Sequence, residues 1–126
     1  MRGIRGGVIG EVHQWEIVTV DFPFFDSNRR KRRPALVISN DHFNRISKGV
    51  VVVQITSNLE SGFSEYNIKI TEKDVTLYGD SYLKPSIIKP YVIFTVDKSE
   101  IYWVIGRLSD EKIREVQEVL RAIYSL

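Results

Sequence analysis

Residues 50–56, VVVVQIT, form a nearly continuous run of β-branched side chains. Such a run is typical of a strand that is covered on both faces, because neither face then needs polar side chains. The sequence therefore predicts a strand here, in the interior of a sheet.

Further strands are predicted on both sides of this central strand. Residues 15–22 alternate between two faces and are rich in β-branched and aromatic side chains, and residues 66–70 have the alternation of a half-solvated strand. Pro85 and Pro90 interrupt the segments around them, which indicates an edge or a bend. The other segments expected to be strands are residues 35–40, 81–84, 86–89, 93–96 and 101–105, with a connection or one helical turn over residues 41–49.

The C-terminal segment has the signals of a helix. Ser109 supplies an N-cap hydroxyl, and Asp110 and Glu111 follow in the first turn, where the helix dipole favours acidic side chains. Apolar residues then recur at spacings of three and four, so residues 110–124 are predicted to form an amphipathic helix. Short strands followed by one helix predict a mainly β fold, a small curled antiparallel sheet or barrel with the helix packed on it.

The composition fits one globular domain of 126 residues with 43% hydrophobic side chains. We expect residues 1–12 to be a flexible leader and residues 13–126 to be a single domain. The chain has no cysteine, which excludes disulfides, thiolate zinc sites and thiol nucleophiles and suits a cytoplasmic protein. No apolar run approaches the ~20 residues of a membrane span, so a soluble protein with no membrane partner is expected.

Residues 29–33, RRKRR, concentrate the positive charge of the chain. The formal charge is +2 overall and this run contributes +5, so the rest of the chain is net acidic. Such a run is either a solvated loop or a binding site for an anionic partner, above all a phosphate backbone. Arg33 stands directly before Pro34 at the predicted strand entrance, where a rigidly held guanidinium could be aimed at a phosphoryl group.

Hydroxyl and imidazole groups are the other candidates for chemistry. Thr56 and Ser57 end the central strand, where a hydroxyl can donate to a phosphate oxygen or orient a ribose 2′-OH, although threonine is also simply common in strands. His13 and His42 have no metal-ligand spacing, and neither a metal nor another cofactor is predicted. A histidine that transfers protons stays geometrically possible.

Several segments in order resemble the MazF/PemK family of type II toxin–antitoxin ribonucleases. These are EIVTVDFPF, RRPALVIS, VVVVQITS, SIIKPYVIFTVDKSEI and IGRLSDEKIREVQEVL, which together span about residues 15–124. The resemblance implies an SH3-like barrel of the MazF/PemK/CcdB type, a homodimer, and metal-independent cleavage of single-stranded RNA to a 2′,3′-cyclic phosphate and a 5′-OH. It places the family's catalytic arginine on Arg33, its threonine on Thr56 and a loop serine on Ser27.

The resemblance also implies partners and an RNA-binding surface. A toxin of this type is expected to bind an acidic, partly disordered antitoxin. Ser27 is followed here by Asn28, where family members often have glutamate, so a carboxylate that could assist proton transfer is missing. A non-catalytic module that binds nucleic acid or a protein, as the gyrase-poisoning CcdB toxins do, is the alternative function. The expected RNA-binding residues are Asn28, Arg29, Arg30, Lys31, Arg32, Ser57, Ser86 and Lys89.

Overall fold

The fold is a curled antiparallel sheet with a C-terminal helix, as a computed structural model shows. The structure describes residues 11–23 and 30–126, with side chains for residues 11–21 and 32–126. The expectation of a mainly β chain is confirmed. The strands are β1 (Glu16–Pro23), β2 (Arg30–Val37), β3 (Gly49–Thr56), β4 (Ile68–Ile70), β5 (Val75–Leu77), β6 (Ser86–Asp97) and β7 (Ile101–Leu108), and the helices are α1 (Asp41–Ile46) and α2 (Asp110–Tyr124).

The seven strands form one sheet in the order β4-β6-β3-β2-β1-β7-β5. All the pairings are antiparallel. The predicted central strand is confirmed, because β3 lies between β6 and β2 and most of its side chains are buried. Two short 3-10 turns, Glu72–Asp74 and Lys98–Glu100, complete the connections.

Apolar side chains are buried on both faces of the sheet, as its curl requires. On one face α2 packs against β4 and β6, and its residues Ile113 and Val116 join a cluster that includes Leu36 and Ile55. The other face carries a second cluster made mostly of valines. The members of that cluster are Val12, Val18, Val20, Ala35, Val37, Val50, Val52, Val96, Ile101 and Val104.

The predicted C-terminal helix is confirmed, together with its N-cap. The Ser109 hydroxyl accepts a hydrogen bond from Lys112 N, and Asp110 and Glu111 lie in the first turn. Within the described residues, none of the helices has the length and apolarity needed to cross a bilayer.

The basic run at residues 29–33 was expected in a loop, and that expectation is wrong for four of its five residues. β2 begins at Arg30 and contains Arg32, Arg33 and Pro34, because β1 extends to Pro23 and pairs with all of them. Neighbouring residues of a strand point to opposite faces, so strand geometry separates adjacent cations. Pro34 therefore lies within β2 rather than at its entrance.

Two other segments differ from the sequence-based prediction. Residues 86–89 and 93–96 are parts of one long strand, β6, because Pro90 is accommodated by an irregularity in the pairing with β3. Residues 81–84 are not a strand, whereas β5 was not predicted. The single helical turn expected after residue 40 is α1.

The C-terminal end of the expected leader packs on the domain. Val12 is buried in the valine cluster and its carbonyl accepts from Asn44 Nδ2 at 3.4 Å. Glu11 Oε1 lies 3.2 Å from Arg45 Nη1 of α1. Residues 11 and 12 therefore pack on the domain, and the rest of the leader lies outside the described residues.

Candidate functional site

Arg33 and Thr56 lie on the same face of the sheet. The register between β2 and β3 pairs Ala35 with Gln54 and Leu36 with Val53. Carried two residues past Ala35, the same register sets Arg33 opposite Thr56. The β2–β3 pairs end at Ala35 and Gln54, and residues two positions beyond the last pair of neighbouring antiparallel strands share the face of that pair. One phosphate can therefore contact both side chains.

Arg33 is held between two strands rather than at the tip of a loop. On its other side it pairs with Val20 of β1, which is fully buried. Arg33 itself is half-buried, so the apolar part of its side chain lies along the sheet while the guanidinium can reach solvent. This environment limits the rotamers of the side chain and keeps the charge on one face.

The hydroxyl of Thr56 is oriented by the turn that follows it. Its Oγ1 accepts a hydrogen bond from Asn58 N at 3.1 Å. The hydroxyl hydrogen has no acceptor among the residues that the structure describes, and it can donate to a ligand oxygen. Ser57, the next residue, is exposed.

Two lysines extend this face across the sheet. Lys89 pairs with Gln54 across β6 and β3, and Lys69 of β4 pairs with Ile87, the partner of Thr56. Since paired residues share a face, both lysines lie on the side of Arg33. We call the set Arg33, Gln54, Thr56, Lys69 and Lys89 the Arg33 face; it joins three cations to a threonine and an amide, which suits a phosphate backbone.

Arg32 points away from this face. It pairs with Asp21, its guanidinium carbon lies 4.0 Å from the ring centroid of Tyr102, and the Tyr102 hydroxyl donates to Asp21 Oδ2 at 2.9 Å. That hydrogen bond to a carboxylate raises the pKa of Tyr102 above its usual value. Arg32 and Arg33, which the sequence presents as one basic patch, therefore serve opposite faces of β2.

The other predicted site residues are placed as follows. Ser86 is buried, pairs with Ile70 on the helix side of the sheet and donates to Lys84 O at 2.7 Å, so it does not join the Arg33 face. Arg30 and Lys31 belong to β2, with only their backbone described. Ser27, Asn28 and Arg29 lie outside the described residues.

Both histidines lie at the far end of β2. The amide of Trp15 donates to Val37 O, so the segment that carries His13 joins β2 at the end opposite to Arg33, and His42 lies in α1, which follows that end. Arg33 and Val37 are four positions apart along β2, which is a distance of about 13 Å. The structure therefore does not bring a histidine of the same chain to Arg33, which argues against His42 as the general base.

Asp41, the neighbour of His42, is fixed at this far end. The backbone N–H of Gln14 donates to Asp41 Oδ1 at 2.9 Å, and His13 Nδ1 lies 3.0 Å from Asp41 Oδ2. These contacts hold the pKa of Asp41 below its usual value of 3.8, the Gln14 hydrogen bond contributing most. No three His, Asp or Glu side chains in residues 11–23 and 30–126 are grouped so that they could hold a metal ion.

We expect Asp41→Asn to destabilise the fold at neutral pH by about 0.5–1 kcal/mol, because Asp41 is half exposed and its contacts are partly screened. Since folding lowers the pKa of Asp41, its stabilisation is complete above the unfolded value of 3.8 and is lost as the pH falls through the lower folded value. Urea unfolding from pH 7 to pH 3 checks this. The difference in the free energy of unfolding between Asp41→Asn and wild type should shrink as the pH falls, while the exposed Asp80→Asn should match wild type throughout. A difference for Asp41→Asn that does not depend on pH would contradict the lowered pKa of Asp41.

Sequence reasoning missed Lys69 and Gln54, and it named Tyr91 only as one of four tyrosines that could include an exposed stacking residue. Lys69 is the one outward residue of the IKI strand, and its alternation with two buried isoleucines was a usable signal. Gln54 interrupts a run of valines and is therefore conspicuous, but only the register shows that it adjoins Lys89. Tyr91 lies in the pairing irregularity of β6, which the sequence does not reveal.

Comparison with known proteins shows the family of the chain. The family model described as "PemK-like, MazF-like toxin of type II toxin-antitoxin system" matches residues 13–124. The endoribonuclease EndoA of Bacillus subtilis is 32% identical over 104 residues, which cover 82% of this chain and 85% of that protein.

Solved structures support the fold. A mycobacterial endoribonuclease in complex with its cognate antitoxin has a TM-score of 0.69 at 16% identity, covering 91% of this chain and 96% of that one. The MazE–MazF structure from Deinococcus radiodurans has a TM-score of 0.69 at 17% identity, covering 93% and 99%. A family match over nearly the whole domain, together with a relative of this identity, means that the chain belongs to the PemK-like, MazF-like toxins of type II toxin–antitoxin systems.

Proposed function

We propose that this toxin is an endoribonuclease that cleaves single-stranded RNA without a metal, by attack of a ribose 2′-OH on the adjacent 3′-phosphate. The observation that supports the proposal is the β2–β3 register, which, continued two residues past its last pair at Ala35 and Gln54, brings Arg33 and Thr56 to one face with two lysines. The endoribonuclease named among the relatives supports the same reaction class.

In the proposed step the RNA supplies the nucleophile. The bond from the 2′-oxygen to phosphorus forms, the bond from phosphorus to the 5′-oxygen breaks, the 2′-OH proton passes to water and the 5′-oxygen takes a proton from water. The products are a 2′,3′-cyclic phosphate and a 5′-OH. Arg33 stabilises the charge on the non-bridging oxygens, where one preorganised donor contributes about 10²–10³ in kcat.

The hydroxyl of Thr56 donates to the same phosphate, since its oxygen is already fixed by Asn58 N. Lys69 and Lys89 bind neighbouring phosphates on the β6 and β4 side of it, and the exposed Ser57 adjoins Thr56. Ser27 is proposed as a further catalytic residue, and Asn28, Arg29, Arg30 and Lys31 as further RNA-binding residues. Ser86 is left out of the RNA-binding set because it is buried on the other face.

The proposed partners are single-stranded RNA, a second copy of the chain and an acidic antitoxin, and the proposed location is the cytoplasm. The neighbouring structure of a toxin with its cognate antitoxin supports an inhibitor of this kind. A cationic segment attracts an acidic, partly disordered chain rapidly and in a salt-dependent way. Such an antitoxin would compete with RNA for the Arg33 face.

The test is incubation of the protein with single-stranded RNA in EDTA, followed by mass spectrometry of the new ends. We expect 2′,3′-cyclic phosphate and 5′-OH ends, and no cutting of the same sequence with 2′-deoxyribose at the cleaved nucleotide, since the attacking group is then missing. A requirement for Mg²⁺ would overturn the mechanism. Tight binding of RNA with no cleavage would favour the non-catalytic binding module instead.

A further inference from the structure

The connection between β3 and β4 is held in place by one side chain of β6. The Tyr91 hydroxyl accepts from Phe63 N at 2.8 Å and donates to Asn67 Oδ1 at 2.7 Å. Asn67 Nδ2 in turn donates to Ser61 O at 2.8 Å. A single phenol group therefore joins the middle of this connection to its end. We call residues 57–67 the β3–β4 loop.

The backbone of the β3–β4 loop lies unusually close to Tyr91. Gly62 has a φ of +73°, and a Cβ added there would lie 1.9 Å from the Tyr91 hydroxyl oxygen. A side chain is therefore excluded both by the left-handed conformation and by the lack of space. Tyr91 itself lies where the register between β3 and β6 shifts, an irregularity of the kind that redirects side chains beside functional sites.

The same loop adjoins the Arg33 face. Lys89 Nζ donates to Ser61 Oγ at 2.6 Å, and Lys89 is paired with Gln54 two residues before Thr56. Diagonal neighbours on paired strands lie about 7–8 Å apart, so Ser61 and the residues next to it border the place where a phosphate would bind Arg33 and Thr56.

The β3–β4 loop is ordered by these contacts and yet presents an aromatic ring to solvent. The Phe63 side chain is 67% exposed, and its ring meets the Tyr91 ring edge to face with centroids 5.4 Å apart. Most of the ring is therefore accessible to a partner, and Lys89 reaches the same loop at Ser61. A flat ring beside cations is the combination that proteins use to bind single strands, because bases stack on the ring while lysines bind phosphates.

We propose that Phe63 is a stacking platform for a base next to the cleaved phosphate, and that Tyr91 is the positioning residue that fixes this platform. The proposal rests on the proposed function for its substrate class. RNA is favoured over a protein partner because the loop adjoins the three cations of the Arg33 face through Lys89 and Ser61, although the loop itself carries the exposed Glu60 and Glu65. The choice of cleavage site by this toxin therefore depends on Phe63 and, through the loop, on Tyr91.

The first experiment measures cleavage kinetics and cleavage positions in a long RNA. Phe63→Ala is expected to raise KM about 5- to 100-fold with little change in kcat, in line with the loss of one stacked base. Tyr91→Phe keeps the ring but loses both loop hydrogen bonds, so we expect a five- to tenfold rise in KM and cleavage at additional sequences. Matched controls are Phe43→Ala in α1 and Tyr82→Phe, whose ring is 70% exposed, and both should behave as wild type.

The second experiment does not need activity. A pool of uncleavable 2′-deoxy single strands carries the fluorescent base 2-aminopurine at a central position, and stacking on Phe63 should quench it. We expect quenching with wild type and Phe43→Ala, and its loss with Phe63→Ala. Quenching that depends on Phe63 in a protein that does not cut RNA would overturn the proposed nuclease and support the platform.

Another outcome would keep the nuclease and reject the platform. If cleavage depends on Arg33 while Phe63→Ala and Tyr91→Phe match wild type in KM, cleavage positions and quenching, the platform is overturned and the nuclease stands. A protein that neither cuts RNA nor quenches the probe would overturn both. Loss of antitoxin binding by Phe63→Ala with unchanged RNA binding would assign the ring to a protein partner and overturn the platform.

Discussion

Arg33→Ala is expected to lower kcat for cleavage of single-stranded RNA about 10²- to 10³-fold in EDTA, with a smaller change in KM. The physical reason is that the guanidinium interacts most strongly with the charge that develops on the phosphorane oxygens, and such donors stabilise the transition state by about 3–4 kcal/mol. Single-turnover rates at saturating enzyme isolate this step from RNA binding and product release.

Arg45→Ala is the matched control for Arg33→Ala. Arg45 lies in α1 at the far end of β2, and it pairs with Glu11, so its loss removes an equal charge without touching the Arg33 face. We expect Arg45→Ala to cut RNA at the wild-type rate. Equal losses in both variants would mean that general charge, rather than the position of Arg33, matters. Arg33→Lys should recover only part of the activity, because an ammonium cannot replace the planar fork.

The sequence alone was sufficient to predict an element where a single local signal dominates. The β-branched run of β3 and the capped, amphipathic α2 are both strong local signals, and both elements were predicted correctly. The placement of Arg33 and Thr56 on one face was not accessible to such reasoning. It depends on the β2–β3 register, which is a property of two strands together and not of either one alone.

The errors at Pro34 and Pro90 have a common physical cause. Prolines were taken as strand boundaries, but Pro34 lies in β2 just before its pairs with β3 begin at Ala35, so its missing N–H leaves no gap in those pairs. Pro90 lies in the pairing irregularity of β6, where a ladder donor is not required. In both places the sheet accommodates proline, and a sequence pattern does not show whether a partner strand needs the lost donor.

The basic run shows a related limit on site prediction. As a list of charges, residues 29–33 resemble one binding surface. In the strand, Arg32 stacks on Tyr102 on one side while Arg33 lies on the other with Thr56. The lysines that extend the Arg33 face, Lys69 and Lys89, are distant in sequence and adjoin it only because β4 and β6 pair with each other and β6 pairs with β3.

Glu16→Ala is expected to lower the free energy of unfolding by about 2–4 kcal/mol, the largest loss of stability that we predict. Glu16 is only 2% exposed, its Oε1 accepts from His13 N at 2.7 Å, and its Oε2 accepts from the Tyr78 hydroxyl at 2.9 Å. The same turn holds Trp15 at a φ of +72°, a strained conformation for a bulky residue.

The contacts of Glu16 explain why alanine should be so costly. The carboxylate closes the turn around Trp15 and also anchors Tyr78 to β1, so its removal takes away the contact that holds this turn and leaves two donors without their acceptor. Glu16→Gln keeps the volume and one good acceptor and should cost about half as much. The exposed Glu118→Ala on α2 should stay within about 0.5 kcal/mol of wild type. Urea unfolding at pH 7 measures all three, and a Glu16→Ala protein as stable as Glu118→Ala would show that the buried carboxylate does not hold this turn.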